Sequence, residues 1–500
     1  MRRVIVTIKI FLLFIFVFVN LNAQQEKIDR INDYIQRAMD DWKMPGFAVG
    51  IVKDDSVVFA KGFGVREFGK NDPVDENTLF VIASCSKAFT TASLAILVDK
   101  GKINWDDPVT KYLPDFQMYD PWVTHEMTIR DLITHRSGLA TFSGDFLWLS
   151  SNYDRKEVIR RARFLKPTSS FRTKYGYQNI MFITAAEVIK AVTDTSWGDY
   201  IQKHILNKIG MEHTNTSYAQ FYETTNAAKA HYLKDGEFKI YSNVQKDNAQ
   251  GALGINSSAY DMAQWIRLQL GKGKYKDQRI FSERQSGEMW ANQFAFGNMN
   301  YGLGWFISYK NGKRILNHGG GMPGFISDVT LVPEENFGFV ILSNFESGMV
   351  NSVRNYIIDI MTNTEPKDYE KLSLDGWAKR IERFNNESKH REEIRIKDTK
   401  PSVPLEKYCG VYEDKMYGKA EIFLKDGGLY LQFIPTPTFR GTLHHYQNDT
   451  FYIDWEDEFL TRGWLKFDFD FNATPNKITF EVPNSPDFIF TELSFERVAR

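Results

Sequence analysis

The sequence predicts an α+β protein: an antiparallel sheet flanked by helices and carrying an all-helical lobe, followed by a small all-β barrel. Three observations predict it. Strand-like runs at 47–52 and 56–62 are matched much later by runs at 314–317, 326–332 and 337–343. Between them the apolar periodicity is mostly helical, at 86–100, 128–135, 155–164, 179–193, 198–208, 259–271 and 281–291. Strands at both ends of a region that encloses helices point to one sheet with an inserted lobe. From residue 403 onward short strand patterns recur between turns, about eight in a hundred residues and with no helix, the signature of a small barrel or sandwich.

At the N-terminus, Arg2, Arg3 and Lys9 precede an apolar run at 10–19, and Ala23 offers a small residue for cleavage. That is the layout of a secretory signal peptide over 1–23. The apolar run is shorter than the roughly 20 residues that a membrane span needs. The expectation is a periplasmic or secreted protein with no stable span after the leader is cleaved. Ile28, Ile31, Tyr34, Ile35, Ala38, Met39 and Trp42 then give a helical pattern over 27–43 that Pro45-Gly46 ends. Lys53-Asp54-Asp55 joins the first two strands as a hairpin. The first domain is expected over 24–372. A charged linker at 373–402 (Lys379-Arg380-Ile381-Glu382-Arg383, His390-Arg391-Glu392-Glu393) follows, closed off near Pro401 and Pro404. The barrel domain occupies 403–500.

A hydrophobic content of 43% and a charged content of 25% describe a globular chain with ample core. A formal net charge of −1 gives no electrostatic footprint for nucleic acid or for a polybasic membrane contact. The two cysteines, Cys85 and Cys409, fall in different domains, so a disulfide between them has no framework behind it. The nine histidines are scattered rather than spaced as ligands, so neither a metal nor another cofactor is expected. His125, His135, His444 and His445 read as structural.

Ser84-Cys85-Ser86-Lys87 is the single S-x-x-K in the chain, and it opens the helical pattern at 86–100. One helical turn brings residues i and i+3 to the same face, so Ser84 Oγ and Lys87 Nζ can meet. A serine hydroxyl becomes a nucleophile when a neighbour takes its proton, and a desolvated lysine can do so. The helix N-terminus favours the negative charge of an oxyanion. Read alone, the motif fits a capping serine with a solvated lysine equally well. Cys85 is an alternative nucleophile but has no base beside it. A second proton-handling group is needed, and four Y-x-N tripeptides offer a tyrosine, at Tyr177, Tyr241, Tyr309 and Tyr446. Tyr177-Gln178-Asn179 is preferred because it directly precedes a clear helix, whereas Tyr241 sits in a loop, Tyr309 in a hairpin turn and Tyr446 in the barrel. His318-Gly319-Gly320-Gly321 follows a strand pattern, and its glycines read either as a flexible turn or as backbone that approaches a ligand closely. In the second reading its N–H groups complete an oxyanion hole with Ser84 N–H.

In this order the three elements resemble the serine β-lactamase and penicillin-binding-protein superfamily, nearest its class C-like, esterase and CubicO-group peptidase branch. The resemblance extends to 101–109 with Tyr112-Leu113-Pro114, similar to "GKLxLDDPVxKYLP", and to 128–139, similar to "TIRxLLTHTSGL". Blocks 251–265 and 319–344 match as well, so that coverage is roughly 27–365. The tail, with Tyr408-Cys409-Gly410-Val411-Tyr412 and Phe495-Glu496-Arg497-Val498, resembles the lipocalin-like domain appended to some of these hydrolases.

The resemblance implies Ser84 as acyl-enzyme nucleophile, Lys87 as its partner base and Tyr177 as second proton shuttle. It implies Asn179, His318, Gly319 and Gly320 as substrate-binding residues, and Ser84 and Gly321 as oxyanion donors. Which of Lys87 and Tyr177 is the base stays open, as it does in related enzymes. His318 stands where antibiotic-hydrolysing members carry the lysine of K-T-G, which removes a fixed cation and favours esters, amides or D-amino-acid peptides, peptidoglycan-derived ones among them. The alternatives are a β-lactamase or D,D-peptidase, and a non-catalytic acylated sensor. The expected partner is a small-molecule or short-peptide substrate, with homo-oligomerisation through the C-terminal domain as a further expectation.

Overall fold

The computed structural model describes residues 2–241, 247–457, 460–482 and 488–498, with the side chains of 2–21 outside the description. An eight-stranded antiparallel sheet forms the first domain. Its order is Ser56–Gly64, Gly46–Lys53, Phe337–Ser343, Phe325–Val332, Lys313–Met322, Phe306–Lys310, Met299–Tyr301 and Phe294–Phe296. The chain therefore starts the sheet, leaves it for more than two hundred residues of mainly helical lobe, and returns to finish it.

Alternation along the strands sorts the side chains between two layers. Phe47, Val49, Ile51, Phe337, Phe339 and Ile341 pack outward against the N-terminal helix Arg2–Asp41 and the helix Met349–Met361. Ala48, Val52, Val340 and Leu342 face the other way, into the core shared with Ala259–Leu270 and the lobe. In the N-terminal helix, Ile28, Ile31, Ile35 and Ala38 are buried, which is the 3-4 spacing of an amphipathic face. The expected leader, residues 1–23, falls almost wholly on residues whose side chains lie outside the description. Among the described residues no helix is long and apolar enough to cross a membrane.

The lobe delivers the helix Ser86–Asp99, buried over almost its whole length, and the helix Asn179–Thr193 packed beside it. The C-terminal unit is a closed eight-stranded antiparallel barrel that begins at Gly410 and ends at Arg497.

Two sequence expectations change. The glycines 319–321 form no turn: the strand Lys313–Met322 runs through them, and the reversal falls at Pro323-Gly324, where Gly324 supplies φ +73. Most of the expected linker is the helix Tyr369–Glu393, in which the pairs Glu387–Arg391 and Lys389–Glu393 sit one turn apart. It packs on Met349–Met361, and its Trp377 meets Trp42 edge-on at 6.1 Å.

Candidate active site

Ser84 lies in a short 3-10 turn, Ala83–Cys85, that runs directly into the helix Ser86–Asp99. Ala83 takes φ +44, a left-handed conformation that costs a non-glycine residue about 1–3 kcal/mol. The turn is clamped on one side by the pairing of Phe80–Val81 with Asn256–Ser257 and by the Ser86 hydroxyl, which accepts from Ile255 N at 3.0 Å. On the other side it is clamped by the glycine strand. A Cβ at position 320 would lie 2.2 Å from Ile82 O and 3.0 Å from Ser84 N, so only glycine lets the strand come this close.

Lys87 is fully buried, and its Nζ faces three oxygens: Asn179 Oδ1 at 2.7 Å, Ser84 Oγ at 3.1 Å and Ala252 O at 3.2 Å. The ring of Tyr177 lies 4.7 Å from the same Nζ, and its phenol faces the Ser84 side chain. Burial pushes the Tyr177 phenol well above its ordinary range, so that it carries its proton. The loop that enters the helix Asn179–Thr193 holds this tyrosine firmly: Tyr177 N donates to Thr141 Oγ1, Phe142 N donates to Tyr177 O, and Gln178 N donates to His135 Nδ1.

Ser84, Lys87, Tyr177, Asn179 and His318 are thus brought together, while Tyr309 lies elsewhere on the sheet, 70% exposed, and Tyr446 is buried in the barrel. Tyr241 is in a loop remote from these contacts, and the rest of its tripeptide lies outside the described residues. Two of the expected substrate-binding residues also serve the packing of the site. Asn179 lines the cavity, yet both ends of its amide are engaged within the protein, accepting from Lys87 and donating to Asp145 Oδ2 at 2.7 Å. Each end of the amide keeps a second hydrogen-bonding position, so Asn179 can hold Lys87 and still face a ligand in the cavity. Gly320 is absent from the cavity lining because its side-chain direction points into the nucleophile turn.

Gly319 and Gly321 do line the cavity. On this edge the strand Phe306–Lys310 pairs only as far as Asn317, so nothing among the described strands covers 318–322 there. That leaves a stretch of strand edge beside Ser84 where a carbonyl oxygen could meet backbone N–H groups. His318 is buried, with Nδ1 on Gly319 O at 2.7 Å and Nε2 on the Tyr301 hydroxyl at 3.2 Å. Burial and the nearby Lys87 push it down to about 3, so it is a neutral imidazole. Cys85 points away from the cavity, to His318 O at 3.1 Å and Ser327 Oγ at 3.2 Å, and burial pushes its thiol up to about 12. Both cysteines are free.

Three residues escaped the sequence reading of the site. Asp145 is buried on the lobe loop and accepts from Trp148 Nε1 at 2.9 Å as well as from Asn179. His135, read only as structural, packs against Tyr177 at a tilt, with ring centroids 4.2 Å apart. Phe488, from the barrel, lines the cavity. None carries a local motif, because each meets the site only through tertiary packing. Among the described residues no group of three or more His, Cys, Asp or Glu side chains could hold a metal ion.

The chain has recognisable relatives. Residues 31–360 match the family model described as Beta-lactamase, and residues 394–497 match a domain of unknown function, DUF3471. An unguisins hydrolase of Aspergillus campestris is 27% identical over 418 residues, covering 78% of this chain and 76% of its own. Protein flp of Staphylococcus aureus is 27% identical over 365 residues, covering 70% and 68%. The octameric penicillin-binding protein homologue from Pyrococcus abyssi shares the fold with a TM-score of 0.61 at 21% identity, over 91% of this chain and 98% of that one. A class C beta-lactamase superposes with a TM-score of 0.58 at 20% identity, over 68% of this chain and 97% of its own. The chain belongs to the beta-lactamase family, as a hydrolase of the serine type.

Proposed function

We propose that the protein is an exported hydrolase that works through an acyl-enzyme on Ser84, on small esters, amides or short peptides, including those with D-amino acids. The observation that carries this reading is the 3.1 Å contact between Lys87 Nζ and Ser84 Oγ in a fully buried setting. In the amine form Lys87 accepts the serine proton across that contact while Oγ bonds to the substrate carbonyl carbon. Tyr177, which keeps its phenolic proton, passes one to the departing alcohol or amine as the carbon–heteroatom bond breaks. Water then attacks the acyl carbon and gives up a proton to the site, the Oγ–carbon bond breaks, and Ser84 regains its proton as the acid leaves. Ser84 N–H and Gly321 N–H are the donors assigned to the oxyanion.

The neutral His318 disfavours a β-lactamase or D,D-peptidase, whose substrates carry a carboxylate beside the scissile bond and call for a fixed cation. The leader-like N-terminus supports export to the periplasm or medium. The octameric state named for the Pyrococcus protein supports a homo-oligomer here.

Intact-mass labelling with a fluorophosphonate tests the reading, followed by a panel of p-nitrophenyl esters, D-amino-acid amides and nitrocefin. One label per wild-type chain, none on Ser84→Ala, and turnover of esters or amides are expected. Labelling without any turnover would instead support an acylated sensor, and rapid nitrocefin hydrolysis a β-lactamase.

A further inference from the structure

The cavity in front of Ser84 has a volume of about 340 Å³, at the small end of the range for small-molecule sites of about 300–1,000 Å³. Its walls come from three parts of the chain. Phe142, Trp148 and Leu149 belong to the lobe, Phe306 and Met322 to the sheet, and Phe488 to the C-terminal barrel. The lining is thus mainly aromatic and aliphatic. No lysine or arginine is among the described lining residues, and the acid there, Asp145, is already bonded to Trp148 and Asn179.

Phe488 is held in place by the barrel's contact with the lobe. Its ring packs on Phe146 with centroids 5.0 Å apart, and Phe490 meets Phe146 edge-on at 4.6 Å. Two residues further on, the Glu492 carboxylate accepts from Gly144 N at 2.9 Å and from the Ser143 hydroxyl. Tyr153 donates to Tyr417 O at 2.7 Å, Arg161 to Met416 O at 2.9 Å and Asn152 N to Pro435 O at 2.7 Å. The lobe loop that carries Phe142, Asp145 and Trp148 is therefore fastened to the barrel along its length.

From this we infer that the barrel completes an acyl pocket, with Phe488 as its outer wall, for substrates whose acyl part is aromatic or large and aliphatic and bears no charge. The inference rests on the acyl-enzyme reading above and names the substrate class of that site. A carboxylate in the acyl part would lose its water against aromatic rings and face Asp145, with no cation in return. A small acyl group would leave the rings unfilled and forgo their contact.

The test is kcat/KM of the full-length enzyme for p-nitrophenyl acetate, hexanoate, phenylacetate and the 4-carboxy derivative of phenylacetate. Wild type is expected to prefer phenylacetate and hexanoate over acetate by about tenfold or more, and to discriminate against the carboxy derivative similarly. Phe488→Ala reduces the preference for phenylacetate over acetate about tenfold, and Phe488→Leu reduces it less. Phe471→Ala, at a fully exposed barrel position, leaves the profile as it was. A flat wild-type profile, equal use of the carboxy derivative, or an unchanged profile in Phe488→Ala overturns the inference. If Phe488→Ala does not fold, Phe488→Leu with Phe488→Trp decides by the same ratio, since they widen and narrow the pocket in opposite senses. A chain that takes no label at Ser84 fails at the hydrolase reading and brings this inference down with it, an outcome distinct from labelled enzyme with a flat profile.

Discussion

Lys87 donates to Asn179 at 2.7 Å, a shorter contact than the 3.1 Å one to its intended partner, Ser84. Asn179 in turn donates to the buried Asp145, so the lysine is held by a relay from the first turn of a neighbouring helix to a loop of the lobe. Asn179→Leu, which breaks both bonds, should lower the rate of fluorophosphonate labelling by about 10- to 100-fold. Asn179→Asp should hold the ammonium form through its negative charge. Labelling of that variant should rise only at higher pH than in wild type. Coincident pH profiles for Asn179→Asp and wild type would remove Asn179 from the mechanism.

Tyr177→Phe keeps the ring that packs on Lys87 and His135 and removes only the hydroxyl that faces Ser84. Loss of a proton-transfer group costs about 100-fold or more in kcat. Thermal unfolding should show the variant folded as wild type is. A kcat within threefold of wild type would mean that the phenol relays no proton.

Neighbouring glycines should respond differently. Gly320→Ala would drive a Cβ to 2.2 Å from Ile82 O and move the nucleophile turn, so labelling of Ser84 should fall at least 100-fold. At Gly321 the nearest atom to an added Cβ is Ile326 Cδ1 at 3.7 Å, and alanine keeps the N–H, so labelling should stay within about threefold. Equal loss in both variants would contradict the close packing of strand on turn.

Acid should destabilise the fold through its buried imidazoles. Burial, with Lys87 nearby, pushes His318 down to about 3 and His135 well below its ordinary 6.5. Below pH 6.5 the unfolded chain therefore binds protons that the folded one does not, and stability falls as pH drops through that window. Each such histidine contributes about 1.4 kcal/mol per pH unit once the pH is well below 6.5. Urea unfolding at pH 7.5 and 5.0 should show a smaller acid loss in His318→Gln than in wild type. An identical loss would mean that His318 is protonated in the folded protein.

How much of this was legible in the sequence depends on how local each signal is. Ser84 and Lys87 are three residues apart across a 3-10 turn that runs directly into a helix, so their meeting follows from local helical geometry. Tyr177-Gln178-Asn179 was legible because it sits at the start of a strongly apolar helix, although the engagement of Asn179 by Asp145 was not. The strand runs at 47–52 and 337–343 were legible as short apolar segments bounded by turn residues, but which face each side chain takes was not. The glycine run was harder: three glycines suit a turn or a strand, and only the packing of Gly320 on Ile82 decides for the strand. His135, Asp145 and Phe488 lie 42, 34 and 404 residues along the chain from Tyr177, Asn179 and Ser84 respectively. No periodicity or motif joins such distant positions.

The claim on which everything else stands is that Lys87 makes Ser84 a covalent nucleophile. Rapid-quench digestion during turnover of p-nitrophenyl phenylacetate, with mass analysis of the peptides, tests it most directly. The account predicts the phenylacetyl group on Ser84 in wild type, and its accumulation slowed at least about 100-fold in Lys87→Ala. An acyl group on any other residue, or undiminished accumulation in Lys87→Ala, would contradict it.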